Sequence, residues 1–394
     1  MSRRPLYWYL ITFFLLVAAA LLVAHWVTGQ TPGRAAIHIA ALNFDIYWYG
    51  IWIVGGIALG AYVVSELAGE RATAVFNQHI SPSTQQISLS ELDLPDEIRG
   101  ILRKQKLHTV GDVLFRWGLD VRYLGLNAAG QDKLHEALIP LLAEDMALLD
   151  DAPWRVWNPD HVWNGMIMVM ILAVIGARLY HVLTPSPSMA AVGINSPLDY
   201  FRNPAKLLDF RSGGLGIYGG IAGGALGLWL YTRRQHISML AWADMAVIGL
   251  ALGQVFGRWG NYFNQELYGR PTNIPWAITI DPLYRLPDYA EFSHFHPAFL
   301  YESLWNLLTF FVLYTLLRRY SARLLRGDLM ALYLIFYAIG RTLLETVRLD
   351  SRTVTLGSLE LNMAVATLVS LLIAAAMLFW ILVRHLRLRA HEGD

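Results

Sequence analysis

The run MLAWADMAVIGLALGQVFGRWGNYFNQELYG, residues 239–269, changes character part-way along. Residues 239–257 are apolar apart from Asp244 and Gln254. A stretch of about 18 or more such residues is long enough to cross roughly 30 Å of hydrocarbon. From Gly257 onward Arg258, Asn261, Asn264 and Glu266 arrive in quick succession, with Gly260 and Gly269 among them. A membrane helix that ends in this way sets a permanent cation, two amides and a carboxylate at the level of lipid headgroups. The glycines let backbone approach closely, and a guanidinium can grip two oxygens of a phosphodiester at once. A lone arginine here would be read as snorkelling to the interface. This density of polar groups is read instead as a site for an anionic headgroup.

Outward from this run the apolar pattern repeats, at about 6–26, 44–66, 160–183, 213–231, 297–317, 328–346 and 361–383. The reading is all-α: a polytopic membrane helix bundle of about eight transmembrane helices. Of the 394 residues, 55% are hydrophobic and 15% charged, against roughly a quarter charged in soluble domains. That excludes soluble globular and disordered classes. Cysteine is absent from the sequence, so disulfides, cysteine metal sites and a cysteine nucleophile drop out. Any thiol chemistry must use a thiol brought by the substrate. Arg3 and Arg4, Arg233 and Arg234, the group Arg318, Arg319, Arg323 and Arg326, and the group Arg384, Arg387 and Arg389 all fall on one side of an eight-span arrangement. Positive residues mark the cytoplasmic side. Both termini are therefore expected in the cytoplasm, and the 258–269 cluster at the outer face. The first apolar run is longer than a signal-peptide core and lacks a small-x-small site after it, so it is read as an uncleaved helix.

Residues 68–158 break the membrane pattern. Ile98, Leu102, Leu107, Val110, Val113 and Leu114 recur at helical spacing. Thr109 is placed to cap a helix starting at Val110, and Gly125-Leu126-Asn127 with Gly130 marks a turn before Leu134, Ala137 and Leu138. Three segments are expected: 1–67, an extra N-terminal transmembrane helix and the first core helix; 68–158, a small inserted all-α cytoplasmic module; and 159–394, the remaining six transmembrane helices. From Ile87 to Leu142 the module resembles the helix-hairpin-helix unit of the RNA polymerase alpha C-terminal domain. The resemblance rests on Leu92-Asp93-Leu94, Thr109-Val110-Gly111-Asp112-Val113-Leu114 and Lys133-Leu134, although Gly125-Leu126-Asn127 lacks the second glycine of the usual hairpin turn. In that family the hairpin often contacts DNA backbone. Here residues 70–151 carry 13 acidic against 8 basic side chains, whereas phosphate binding wants a basic surface. A spacer or protein-contact role, with an unidentified cytoplasmic partner, is expected rather than nucleic-acid binding.

The pattern G-R-x-G-N-x-x-N-x-E-x-x-G over Gly257–Gly269 resembles the signature of the prolipoprotein diacylglyceryl transferase family. Further blocks match in order: Tyr47-Trp48-Tyr49-Gly50, Gly176-Ala177-Arg178-Leu179-Tyr180, the Gly-rich 213–220, His296–Glu302 and Gly340–Arg348. The resemblance covers about 44–66 and 160–384; the first helix and the module are additions to it. It implies transfer of the diacylglyceryl group of phosphatidylglycerol to the lipobox cysteine thiol of prolipoproteins, in the bacterial cytoplasmic (inner) membrane. A thioether forms, glycerol phosphate leaves, and no metal or other cofactor is required. The implied partners are phosphatidylglycerol, prolipoprotein signal peptides and membrane lipid. By the same resemblance Arg258 and Arg341 are the phosphate-binding and catalytic arginines, Asn261, Asn264, Glu266 and Gly269 belong to the headgroup site, and Tyr49 lines the cavity.

The chemistry of the residues agrees. Negative charge grows on phosphate oxygens as the leaving group departs, and arginines stabilise it best where water is scarce. Arg341, Glu345 and Arg348 are spaced i, i+4, i+7 and share one helix face; an Arg341–Glu345 bridge that merely joins helices is the plainer reading of the first pair. Many family members carry a histidine where Tyr218 stands here. A tyrosine with a pKa near 10 is a poor base at neutral pH. Either another group such as Glu266 takes the thiol proton, or the arginine field lowers the thiol pKa from about 8.5. Arg178, Glu345, Arg348, Asp244 and His296 are expected to support the site, Asp244 by pairing with an arginine or with Tyr218, and His296 by orienting a helix start. Arg202, Lys206 and Arg211 are expected to attract anionic headgroups. A transporter and a membrane scaffold for the module are the rival classes. No internal repeat favours the first.

Overall fold

Apolar runs too long for a soluble core become helices, because a backbone in hydrocarbon must satisfy its own polar groups. The computed structural model describes residues 5–142, 147–185, 189–190, 193–202, 204–207, 214–349, 353–356 and 359–392, with the side chains of 42, 353–356, 359–366 and 389–392 left aside. All eight expected spans are helical: α1 (Leu6–Thr28), α2 (Trp48–His79), α8 (Asp160–Leu183), α11 (Ile217–Arg234), α12 (Met239–Asn264), α13 (Ala298–Tyr320), α14 (Asp328–Glu345) and α15 (Val365–Glu392). Among the described residues six of these are long and apolar enough to cross a membrane; α11 and α14, of 18 residues each, are not among the six. The chain is thus a mostly helical polytopic membrane protein. It divides into two compact units, residues 1–64 with 238–394 and residues 65–237.

In the first unit α2 begins beside a hairpin, β1 (Ala35–Ile39) with β2 (Phe44–Tyr47). Gly56 and Gly60 of α2 face Gly253 and Gly249 of α12 so closely that a Cβ on either α2 glycine would run into α12 backbone. This is close small-residue packing. Tyr7 of α1 and Tyr314 of α13 share a buried hydroxyl hydrogen bond of 2.8 Å. Two short antiparallel pairs complete the unit: β3 (Ile278–Thr279) with β4 (His294–Phe295), and β5 (Thr353–Leu356) with β6 (Leu359–Ala364).

In the second unit α2 runs on to His79, so the expected segment boundary at 67 falls inside a continuous helix. Ala72 and Phe76 on its end join a buried core with Leu102, Val113, Leu134 and Trp154. Around that core lie α3 (Pro82–Gln86), α4 (Asp96–Lys104), α5 (Val110–Leu119), α6 (Ala128–Leu138) and α7 (Ala147–Asp150). Thr109 does cap α5: its hydroxyl accepts the Asp112 N–H at 3.1 Å, and Asp112 returns by accepting the Thr109 N–H at 3.0 Å. Gly125, at φ 66°, makes the turn, and Asn127 caps α6. Beyond the core α8 packs on α11. Glycines recur every fourth residue along α11 in two rows: a Cβ on Gly219, Gly223 or Gly227 would run into α8 backbone, whereas Gly220 and Gly224 meet α8 at ordinary distances. Two short helices, α9 (Pro197–Arg202) and α10 (Pro204–Leu207), follow α8.

Candidate active site

The last turn of α12, the first turn of α13, the last turn of α14 and the segment just after it carry the charged side chains of one end of the first unit. Glu302 of α13 joins two of the arginines. Its Oε2 lies 2.5 Å from Arg258 Nε, and its Oε1 accepts from Arg348 Nη1 at 3.0 Å. Glu302 is buried and Arg348 half-buried, while the Arg258 side chain keeps 30% of its surface exposed. One carboxylate between two guanidiniums leaves the trio with a net positive charge. Burying such a group is costly unless each charge is paired. The exposed part of Arg258 is where an anion can reach it.

Arg341 and Glu345 pair at 3.0 Å on successive turns of α14, and Thr367 of α15 donates to Glu345 Oε2 at 3.3 Å. The pair is not fully satisfied. Among the described residues, Arg341 Nη1 and Glu345 Oε1 are buried without a hydrogen-bond partner. A buried charged donor left in that state costs about 1–3 kcal/mol or more, and an anionic oxygen would satisfy it. Arg348 thus shares Glu302 with Arg258, whereas Arg341 pairs with Glu345.

Glu266 lies just past α12. Its carboxylate Oε1 accepts from Asn261 Nδ2 at 2.9 Å and from Asn264 Nδ2 at 3.3 Å. Both amides expected at the headgroup site thus serve the carboxylate. Gly269 donates its N–H to the His296 carbonyl at 2.9 Å and bridges to Arg348. A Cβ there would stand 2.8 Å from the Val347 carbonyl oxygen, so only glycine fits. His296 Nδ1 lies 3.1 Å from the Tyr301 hydroxyl, and burial lowers its pKa; its carbonyl accepts the Ala298 N–H at the start of α13. Tyr49 packs its ring over Gly260, where a Cβ would meet Cδ2 at 2.7 Å. It lines an open hollow of about 980 Å³ with Phe44, Ile51, Val54, Arg34 and Asn264.

Comparison with known proteins decides the family. A family model described as prolipoprotein diacylglyceryl transferase matches residues 138–383. The chain belongs to the prolipoprotein diacylglyceryl transferase family. Its relatives include proteins named phosphatidylglycerol–prolipoprotein diacylglyceryl transferase from Chloroflexus aggregans, 40% identical over 232 residues (55% of this chain, 72% of that one), and from Trichormus variabilis, 36% identical over 278 residues (70% and 90%). A third, from Streptomyces coelicolor, is 38% identical over 267 residues (64% and 79%).

Not every expected residue of this diacylglyceryl transferase family member serves the cluster. Asp244 sits near the start of α12, at the other end from Arg258. Its carboxylate accepts the N–H groups of Gly327 at 2.6 Å and Met330 at 2.9 Å. It caps the start of α14 rather than meeting an arginine of the site or Tyr218, because four unpaired N–H groups at a buried helix start need an acceptor. Arg178 belongs to the second unit. It donates from Nε to the Leu207 carbonyl at 2.9 Å and from Nη1 to Gly214 at 3.0 Å, and bonds Lys206 as well. It ties the end of α10, and Gly214, to α8. Tyr218, also in the second unit, is about half exposed on the first turn of α11, with the Tyr180 ring 5.8 Å away. Arg202 is exposed and lies 3.5 Å from Asp199; Arg211 is outside the described residues.

Two participants were not singled out in the sequence. Glu302 was visible as a lone carboxylate inside an apolar helix, a signal in its own right. Arg34, on the hairpin side, donates to the Asn264 carbonyl at 2.7 Å and stacks over Tyr284; nothing in its neighbourhood along the chain marked it.

Proposed function

We propose that the chain transfers the diacylglyceryl group of phosphatidylglycerol to the cysteine thiol of prolipoproteins at the Arg258–Glu302–Arg348 end of the first unit. The observation that carries the site assignment is Glu302 shared between Arg258 and Arg348, with a further arginine, Arg341, whose Nη1 is buried without a hydrogen-bond partner among the described residues. In the reaction the thiol sulfur attacks the glyceryl carbon that bears the phosphate ester. The carbon–oxygen bond breaks, its electron pair leaves with glycerol phosphate, and the thiol proton passes to a base. Arg258 and Arg341 hold the phosphate oxygens, whose charge rises as the bond breaks. Arg348 keeps Glu302 from neutralising Arg258 completely. Glu266, oriented by Asn261 and Asn264, is the carboxylate placed to take the proton, and the positive cluster lowers the thiol pKa beside it. Its place in the family pattern gives Tyr218 a hydrogen bond to phosphate or ester oxygen, and the Tyr218→Phe variant tests that role.

We read the helices as eight spans with both termini cytoplasmic and the site facing the outer leaflet. Segments 1–67 and 159–394 form the membrane part. Residues 68–158, with the capped α5 and the Gly125 turn, form a helix-hairpin-helix-like module that engages a cytoplasmic protein and not nucleic acid. Two experiments test this. The enzyme is assayed with phosphatidylglycerol and a lipobox peptide as wild type, Arg258→Ala, Arg341→Ala and Tyr218→Phe; product from Arg258→Ala at the wild-type rate would overturn the site. Because the sequence lacks cysteine, single cysteines at Ser2, Ser90 and Thr272 report orientation. The first two should label only from the cytoplasmic side and the third only from outside.

A further inference from the structure

We infer that Gln265 and Asp281 form a positioning clamp for Glu266, a proposal that rests on the reading of Glu266 given above. Gln265 ends α12 in the left-handed region, φ 51°, ψ 47°, which side chains other than glycine rarely adopt. Leu267 is left-handed as well, at φ 53°. Glu266 is therefore held between two residues whose backbone must be kept in place by something else. The Gln265 side chain supplies it. It is buried, with 6% of its surface exposed, and closes a two-bond ring with Asp281. Its Nε2 donates to Asp281 Oδ2 at 2.6 Å, and its Oε1 accepts the Asp281 N–H at 2.7 Å.

A charge-assisted pair of this kind fixes direction as well as distance. It sets the turn at which Glu266 N–H meets the Asn261 carbonyl at 3.1 Å and its carboxylate meets the two asparagine amides. Asp281 is in turn anchored. Two residues earlier, the Thr279 N–H donates to Nε2 of the buried His25 at 3.0 Å, so α1 holds the strand that carries the clamp. Gln265 and Asp281 are positioning residues: they touch Glu266 through the backbone and leave the reacting atoms to it.

The full-length enzyme is assayed with phosphatidylglycerol vesicles and a lipobox peptide as wild type, Gln265→Glu, Asp281→Asn, the double variant, Gln265→Gly and Glu266→Gln. Gln265→Glu sets two carboxylates face to face. In the double variant the polarity of the bond is reversed and the ring can close again. Gln265→Gly accepts the left-handed backbone but has no clamp. We expect kcat to fall about tenfold to a hundredfold in Gln265→Glu and Gln265→Gly, the scale of a small misplacement of a reacting group. KM for phosphatidylglycerol and the thermal midpoint stay near wild type, and the double variant recovers kcat to within about threefold. Wild-type kcat in both single Gln265 variants, a double variant no faster than Gln265→Glu, or a loss confined to KM or to the thermal midpoint would each overturn the clamp. Glu266→Gln separates the two claims. If it is fully active, the reading of Glu266 fails and the clamp with it. If it is inactive while the double variant fails to recover, the clamp alone is wrong.

Discussion

Arg258 stood out in the sequence because an arginine at the end of an apolar span, with amides and a carboxylate beside it, is suited to an anionic headgroup. Glu302 was harder to read, because its value lies in two partners 44 and 46 positions away in the chain, Arg258 and Arg348. Arg258→Lys keeps the charge and loses the planar fork. We expect kcat/KM to fall about 10²-fold or more, measured by thioether formation on a lipobox peptide. Glu302→Gln removes the negative charge shared by the two guanidiniums and keeps one acceptor oxygen where there were two. It should cost about 3 kcal/mol of stability and lower activity, read together from the thermal midpoint in detergent and from turnover. A midpoint equal to wild type would show that Glu302 is not the counterion. Tyr218→Phe removes one hydroxyl. A loss below about tenfold fits a hydrogen-bond donor, whereas a loss of about 10³ would place the hydroxyl in proton transfer.

Elements were legible where their signals are local. Helical spacing and the Thr109 cap predicted α5, and the four-residue glycine rows predicted close packing of α11. Which row faces α8 depends on how the helix is turned, and that is set by packing. The structure makes the prediction specific. Gly223→Ala would drive a Cβ into the Leu172 carbonyl, whereas at Gly224 the nearest atom is a Val169 methyl at 3.7 Å. Gly223→Ala should lose about 1–3 kcal/mol and Gly224→Ala little, compared as melting midpoints. In the module, burial raises the Asp112 pKa, but the N–H groups of His108 and Thr109 and the Thr109 hydroxyl outweigh it, and the net shift is downward. A carboxylate with a lowered folded pKa stabilises above its unfolded value, near 4, and that contribution fades as pH falls through the lowered one. Amide protection across Val110–Leu119 should therefore drop below about pH 4. Asp112→Asn should start lower and show less of this acid response in hydrogen exchange.

At the scale of the molecule, the segment proposed as a module closes on itself: the Phe76 and Trp154 rings lie 5.0 Å apart. Replacing residues 82–150 by a short Gly/Ser linker should leave transferase activity within about tenfold, since the ends need little loop closure. Loss of all activity on that deletion, with Arg258→Ala still active, would instead favour the scaffold reading. α1 lies outside the segment matched by the family model, yet it reaches α13 through Tyr7 and β3 through His25.

Eight apolar runs, the polar cluster at 257–269 and the order of the matching blocks were determined by the chain alone, because hydrocarbon length and headgroup chemistry act on residues close together in sequence. Tertiary structure decided what those residues do to one another. It set Asp244 to cap α14, closed Arg178 on carbonyls at the end of α10 and at Gly214, placed Glu302 between two arginines, and left one nitrogen of Arg341 unpaired among the described residues. Buried charges choose partners by proximity in space, and in this bundle the nearest opposite charge or free N–H is usually on another helix.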